Sequence, residues 1–365
     1  MNLLIVVSDL TSKGGVVRSI VNMANAISSK ENYEITLLSV FKPYNNEIFY
    51  VPYENIKTKY LNLDLNFKGN RIQKQLYFYK NLRNVARNYD CIISTNAHFN
   101  IYFAIMKKFK LKAKVLGSEH GSYNHLSKGW RILTKLTYRY LDTLILLTGK
   151  ELKEYKKFAK NIAIIYNINN ITKIGLEDIK SHEEKRILMV GRIDENKNYQ
   201  DMIRAFSTLS KKYQDWHLDI VGDGEKNDME KLQILIGELK LKDRVHLLGA
   251  YRNIEQFYKR AAIFVMTSKS EGLPMVLIEA ISYGIPCVSY DIKTGPSDII
   301  EDSKNGFLIN YNEKRIENLQ KKIEILMNDE ALRKSMSNYA YKTSSKFDEE
   351  KIIPQWLEII GENND

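Results

Sequence analysis

Cysteine is nearly absent from this chain of 365 residues: Cys91 and Cys287 are the only two, each inside an apolar, strand-like run. That excludes a disulfide framework and makes both thiols expected reduced core residues. No Cys/His cluster has zinc spacing, and no two aspartates are separated by a single residue, so neither a zinc site nor an Asp-x-Asp metal site can be drawn. Long apolar runs are missing as well. Runs such as residues 3–7 and 144–147 fall far short of the roughly 20 residues that span a bilayer. Asp9 interrupts the apolar start, and no small-residue cleavage site follows it, so a secretory leader is not legible. The expected compartment is the cytoplasm.

What is present describes an ordinary folded chain, with 44% hydrophobic and 27% charged residues. Its length exceeds a comfortable single core, so two domains are expected. The net charge of +11 is unevenly shared: residues 1–165 carry 26 Lys and Arg against 11 Asp and Glu, and the remainder 29 against 33. An anionic partner is therefore expected for the first half, either a phospholipid surface or a lipid pyrophosphate; nucleic acid lacks any reader motif here.

The chain opens with a β-branched run at residues 3–7, then Gly14-Gly15, then apolar residues at helical spacing: Ile20, Val21, Ala24 and Ile27. Strand, glycine loop and helix suggest a Rossmann-like unit, although Gly14-Gly15 is not a G-x-G-x-x-G dinucleotide fingerprint. Further strands are expected at residues 34–40, 91–94, 113–117 and 143–147, separated mostly by helical segments, as a doubly wound α/β sheet requires. His120 follows one of them, at the end of a strand where such sheets bind ligands. Next, Lys128, Arg131, Lys135 and Arg139 recur at helical spacing, with Trp130, Leu133 and Tyr138 on other faces, the pattern of an interfacial helix. Arg71, Lys74, Lys80, Arg83 and Arg87 predict a second basic helix. Both stripes fit an anionic membrane surface or an acceptor pyrophosphate, and both are also compatible with plain solvated faces.

A polar connector at residues 166–184 separates this domain, 1–165, from a second at 185–345, with a last segment at 346–365 able to return to the first. The second domain begins with an apolar strand running into Gly191-Arg192, with Lys197 five residues after the arginine. Two cations on one loop suit a diphosphate. Gly222-Asp223-Gly224 follows the next strand, and Gly249-Ala250-Tyr251 the one after. Then residues 261–266 read as a buried parallel strand, followed by Glu271-Gly272-Leu273-Pro274 and a helix carrying Glu279. Helix N-termini favour anions, and carboxylates beside them need neutral partners such as sugar hydroxyls.

This stretch resembles the Glu-x7-Glu signature of retaining GT-B glycosyltransferases of family 4 (glycosyl transferases group 1), of the kind that builds bacterial surface polysaccharides or lipid-linked glycans. The resemblance implies a GT-B fold: two Rossmann-like, doubly wound α/β domains. It implies that Glu271 binds the transferred sugar and Glu279 the nucleotide ribose, and that Arg192 and Lys197 handle the leaving diphosphate. By the same resemblance Gly14 and Gly15 lie by the donor diphosphate or acceptor, His120 contacts the sugar, Tyr251 marks the nucleobase region, and Gly272, Leu273 and Pro274 form the donor loop. Lys128, Trp130, Arg131, Lys135 and Arg139 are left for acceptor or membrane. The loop from Asp291 through Gly295 to Ser297 resembles one near the donor in related polysaccharide enzymes.

The expected activity is thus metal-independent transfer, with retained anomeric configuration, from a nucleotide diphosphosugar to a lipid-linked or polysaccharide acceptor. The expected donor is a UDP-hexose or UDP-N-acetylhexosamine, with no further cofactor, at the inner face of the cell membrane. A nucleotide-sugar epimerase of the same architecture is an alternative, as is a nonenzymatic module binding anionic lipid or nucleic acid. The module leaves the conjunction of Arg192, Lys197, Glu271 and Glu279 unexplained.

Overall fold

The computed structural model describes every residue except 31, 45, 46, 65, 66, 122, 124, 125, 170, 172–183 and 362–365. The chain forms two units, Met1–Ile168 with Asp348–Asp365, and Asn169–Phe347. In chain order the first carries β1 (Asn2–Val7), α1 (Gly15–Ser28), β2 (Glu34–Phe41), β3 (Lys57–Leu63), α2 (Arg71–Ala86), β4 (Cys91–Ser94), α3 (Ala97–Lys108), β5 (Lys114–Glu119), α4 (Lys128–Thr137), β6 (Thr143–Leu146), α5 (Leu152–Tyr155) and β7 (Ile162–Ile164). The second carries β8 (Arg186–Val190), α6 (Tyr199–Lys212), β9 (His217–Val221), α7 (Lys226–Glu238), β10 (Val245–Gly249), α8 (Glu255–Tyr258), β11 (Ile263–Met266), α9 (Met275–Ser282), β12 (Cys287–Asp291), α10 (Pro296–Ile299), β13 (Gly306–Asn310), α11 (Arg315–Asn328) and α12 (Glu330–Ser344). Helix α13 (Glu349–Gly361) belongs to the first unit again.

Each unit is built on one sheet, in the orders β3-β2-β1-β4-β5-β6-β7 and β10-β9-β8-β11-β12-β13. Every pairing between these strands is parallel. Parallel sheets are covered on both faces, which is why their strands read as unbroken apolar runs. In β1 the alternation of side chains sorts one such run into two cores. Leu4 and Val6 face the core that includes Phe78, Leu82 and Phe103 of α2 and α3. Leu3, Ile5 and Val7 face the core that includes Ile20 and Ile27 of α1 with Ile353 and Trp356 of α13. The second unit has a continuous core in which β8, β9, α6, α7 and α11 meet.

Two strands escaped the sequence reading, β3 and β7. Both are edge strands of the first sheet; β3 is mostly exposed and needs no apolar run, and β7 spans only three residues. The polar connector at 166–184 lies largely outside the described residues. Its first part differs from a linker: Ile168 is buried and Tyr166 packs against the first unit's core.

Strand order reverses between β1 and β4 in one sheet and between β8 and β11 in the other. Loops leaving the carboxyl ends of two such strands diverge to opposite faces and open a crevice, the usual ligand position in open α/β sheets. In the second unit the loops leaving β8 and β11 are 191–198 and 267–274, which carry Lys197 and Glu271.

Candidate active site

The 191–198 loop is tied down before it presents any charge. Asn198 adopts φ 50°, a left-handed conformation that asparagine tolerates. Asp194 Oδ1 accepts from the Lys197 amide at 2.9 Å, and Tyr199 donates its hydroxyl to Gly191 O at 2.7 Å. Four further contacts lace this loop to the one after β11. Thr267 Oγ1 donates to the carbonyls of Lys197 and Asn198, Asn196 Nδ2 donates to Ser270 O, and the Lys269 amide donates to Asn196 O.

That lacing brings Lys197 Nζ to 2.6 Å from Glu271 Oε1, with side chains 20% and 14% exposed. A partly desolvated, hydrogen-bonded ion pair of this kind is stronger than a surface pair, and removing either partner strands the other charge. Arg192 does not join it. Its guanidinium is exposed and donates to Glu225 at 3.2 Å, so the two cations expected to act together on one loop have different partners here.

Glycines set the close approaches around the pair. A Cβ on Gly222 would sit 1.9 Å from Gly191 O. The turn after β9 therefore rests directly on the 191–198 loop, and the Gly191 amide donates to Val221 O. Gly295, at φ 96°, lies under the 271–274 loop: a Cβ there would come within 2.6 Å of both Gly272 O and Pro274 Cδ. Thr294 donates its hydroxyl to Glu271 O from the same segment. Leu273 is buried and Pro274 is the N-cap of α9, whose first amides receive no side-chain cap.

Glu279 lies one turn into α9 and is 1% exposed. Its Oε2 accepts a hydrogen bond from the Tyr258 hydroxyl at 2.7 Å. Tyr251, just past β10, is half-exposed and packs edge-on against Phe257. Tyr258 was not singled out from the sequence: it ends a short helix in a polar run, and no pattern there marks it.

In the first unit Gly14 caps α1 with φ −80° and no side-chain hydrogen bond, and both Gly14 and Gly15 are exposed. A Cβ on Gly14 would make only an ordinary contact with Ser12 Oγ, so the fold itself does not demand glycine there. His120 follows β5 and lines a small cavity with Ser19, Thr95, Ser118, Asn167 and Trp356. Its Nε2 is 3.2 Å from Ser118 Oγ, and burial depresses the imidazole to about 4, so it is neutral at pH 7. Beside it the buried Glu119 accepts from Asn100 Nδ2 at 3.0 Å and from the Tyr138 hydroxyl. Burial raises this carboxyl to about 7, more than those two donors lower it. Glu119 was not legible as a site residue, because a carboxylate on an apolar strand reads as a break in it.

The basic stripe of α4 is rearranged relative to expectation. Lys128, Lys135 and Arg139 are exposed, whereas Arg131 is half-buried. Arg139 lies beyond the helix, in the 3-10 turn Tyr138–Tyr140. Trp130 is also half-buried, edge-on to His98 at 4.2 Å, and is not an outward anchor. The outward apolar residues are Ile132, Leu133 and Leu136. The second basic helix is α2, closed by a reciprocal cap between Asn70 and Gln73. Among the described residues no group of three or more His, Cys, Asp or Glu is arranged to hold a metal, and no helix is long and apolar enough to cross a membrane.

Comparison with known proteins matches two family descriptions in tandem: Glycosyltransferase Family 4 over residues 13–171 and Glycosyl transferases group 1 over residues 172–343. An uncharacterized glycosyltransferase of Haemophilus influenzae is 30% identical over 363 residues, covering 97% of this chain and 98% of that protein. The Campylobacter jejuni GalNAc-alpha-(1->4)-GalNAc-alpha-(1->3)-diNAcBac-PP-undecaprenol alpha-1,4-N-acetyl-D-galactosaminyltransferase is 29% identical over 369 residues, 99% of each chain. Among solved structures, Anabaena HepE in complex with UDP and glucose superposes with a TM-score of 0.79 at 18% identity, covering 99% of both chains. That last likeness is one of fold.

Glu119 makes stability depend on pH with a definite sign. Its carboxyl holds a proton more tightly folded than unfolded, so its contribution falls as pH rises from its ordinary 4.5 to about 7, and the loss is complete above that. Glu119→Gln removes this dependence while His120 titrates alike in both proteins. The melting temperature of the variant minus that of the wild type should therefore climb between pH 4.5 and 7.5. A difference that stays flat across this range would contradict the burial argument.

Proposed function

We propose that this chain, which belongs to the glycosyltransferases of family 4 and group 1, transfers a hexose or N-acetylhexosamine from a UDP-sugar to a lipid-linked glycan acceptor. The observation that carries the reading is the Lys197–Glu271 pair at the strand-order reversal of the second sheet. A cation and a carboxylate held side by side suit the two ends of a sugar diphosphate. The ammonium faces charge that grows on the departing phosphate, and the carboxylate accepts from sugar hydroxyls. Without donor the two neutralise each other. Donor binding exchanges Glu271 for a phosphate oxygen on Lys197 and turns the carboxylate toward the sugar. Arg192, long and exposed, swings from Glu225 to the same diphosphate, and the uncapped amides at the start of α9 add a partial positive charge.

In the transfer itself the bond from the sugar's anomeric carbon to the diphosphate oxygen breaks and the bond to the acceptor oxygen forms. The departing phosphate takes the acceptor's proton. Attack and departure on one face retain the anomeric configuration and need no protein nucleophile and no metal. Glu279 takes the ribose and Tyr251 lies by the base.

The lipid-linked acceptor places the enzyme at the inner face of the cell membrane, and the outer surface of α4 supports that location. Ile132 and Leu136 are 58% and 59% exposed there, between Lys128 and Lys135. The start of α2 lies beside it, since Arg71 Nη2 would be 3.9 Å from a Cβ on Gly129, and α2 also exposes Ile72 and Leu76. Apolar side chains ringed by cations match an anionic lipid interface.

Thermal unfolding with UDP, GDP and ADP tests the donor. A ligand at a hundred times its Kd adds about 2.7 kcal/mol, and UDP alone should do so. Lys197→Ala should lower transfer by about a hundredfold or more, and EDTA should leave the wild-type rate unchanged. Unchanged kcat/KM in the variant, or activity lost to EDTA and restored by a divalent cation, would overturn this account of the leaving group. For the membrane, each of Ile132 and Leu136 contributes about 1–2 kcal/mol on insertion. The double variant Ile132→Glu with Leu136→Glu should therefore bind anionic vesicles at least tenfold more weakly, with UDP binding unaltered. Equal vesicle binding by variant and wild type would count against this surface.

A further inference from the structure

We infer that Tyr258 is a positioning residue for the nucleotide ribose, acting through Glu279; the inference rests on the reading that Glu279 takes the ribose hydroxyls. Tyr258 is buried and its hydroxyl is engaged with Glu279 Oε2, so it acts through that carboxylate and not on the nucleotide itself. Its ring packs against two others. Tyr283, which follows α9, stacks on it at 5.4 Å and an interplanar angle of 5°, and Phe264 of β11 lies at 5.9 Å. The hydroxyl thus has a fixed position relative to both the strand and the helix that frame the site.

A phenol has one proton to donate. Glu279 Oε2 at 2.7 Å receives it, while Val276 O, at 3.5 Å, is too long to compete. The consequence is directional. The terminal torsion of a glutamate is broad and roughly two-fold, so an untethered carboxylate presents its oxygens in many planes. One bond from a packed phenol selects a plane. A carboxylate accepts about four hydrogen bonds, so Tyr258 and a vicinal diol can be held at once. A 2′,3′-diol needs both oxygens aimed together, whereas phosphate and base do not depend on that aim. Tyr258 should therefore govern discrimination for the ribose hydroxyls and little else.

The test is titration calorimetry of UDP and 2′,3′-dideoxy-UDP against wild type, Glu279→Gln and Tyr258→Phe. Hydrogen bonds to a charged group predict that the wild type prefers UDP by about thirtyfold. Glu279→Gln should lose nearly all of that preference. Tyr258→Phe, which keeps the stacked ring, should lose at least fivefold of it while binding the dideoxy nucleotide as the wild type does. That unchanged binding also shows that the variant is folded. If Tyr258→Phe keeps the full preference, or weakens both nucleotides equally, the phenol is packing only and the inference falls. If Glu279→Gln keeps the full preference, the ribose reading of Glu279 falls, and the inference with it.

Discussion

The contact between Lys197 and Glu271 is the constraint on which the rest of the second unit's site depends. Two residues 74 positions apart in the chain are brought to 2.6 Å by backbone, not by their own attraction. Thr267, Asn196 and Lys269 sew the loop after β8 to the loop after β11, and Gly222 and Gly295 let neighbouring turns press in from two sides. Those loops are adjacent because β8 and β11 pair side by side in the sheet. The ion pair is therefore a product of topology first and of electrostatics second. Its partly buried setting makes it costly to leave half-made, so a ligand that takes over one partner must supply a charge of its own. A sugar diphosphate does so.

Among the described residues, the first unit has no comparable charge pair near its own reversal point. His120 there is neutral at pH 7, and burial raises the Glu119 carboxyl to about 7. Tyr138 and Asn100 hold Glu119 in place, and Tyr138 lies in the turn that ends α4. One hydrogen-bond network thus reaches from the helix that carries the exposed apolar row to the residue next to His120.

Much of this was legible in the sequence, for a reason visible in β1. A parallel strand buried on both faces leaves a continuous apolar run, and the turn that follows it carries the chemistry. Edge strand β3 needs no such run, and β7 is too short to stand out, so both were silent. The residue types at Arg192, Lys197, Glu271 and Glu279 were readable in order, but their partners were not: nothing in a linear pattern says that Lys197 meets Glu271 while Arg192 meets Glu225. Tyr258 and Glu119 were invisible for a related reason, since each matters through a bond to a distant position. Helix α4 shows a different limit. Helical spacing separates a charged face from an apolar one, but which face the rest of the fold covers is a tertiary fact. Here Trp130 turned inward and Ile132 and Leu136 outward.

The most direct measurement is a double-mutant cycle on unfolding free energy with Lys197→Ala and Glu271→Ala, performed without nucleotide and at saturating UDP. If the pair is a resting contact that the donor displaces, the two substitutions couple by about 1 kcal/mol or more without ligand, and the coupling shrinks toward zero when UDP is bound. Coupling of the same size in both conditions would mean that Lys197 and Glu271 stay together whatever is bound, and that the diphosphate is held elsewhere.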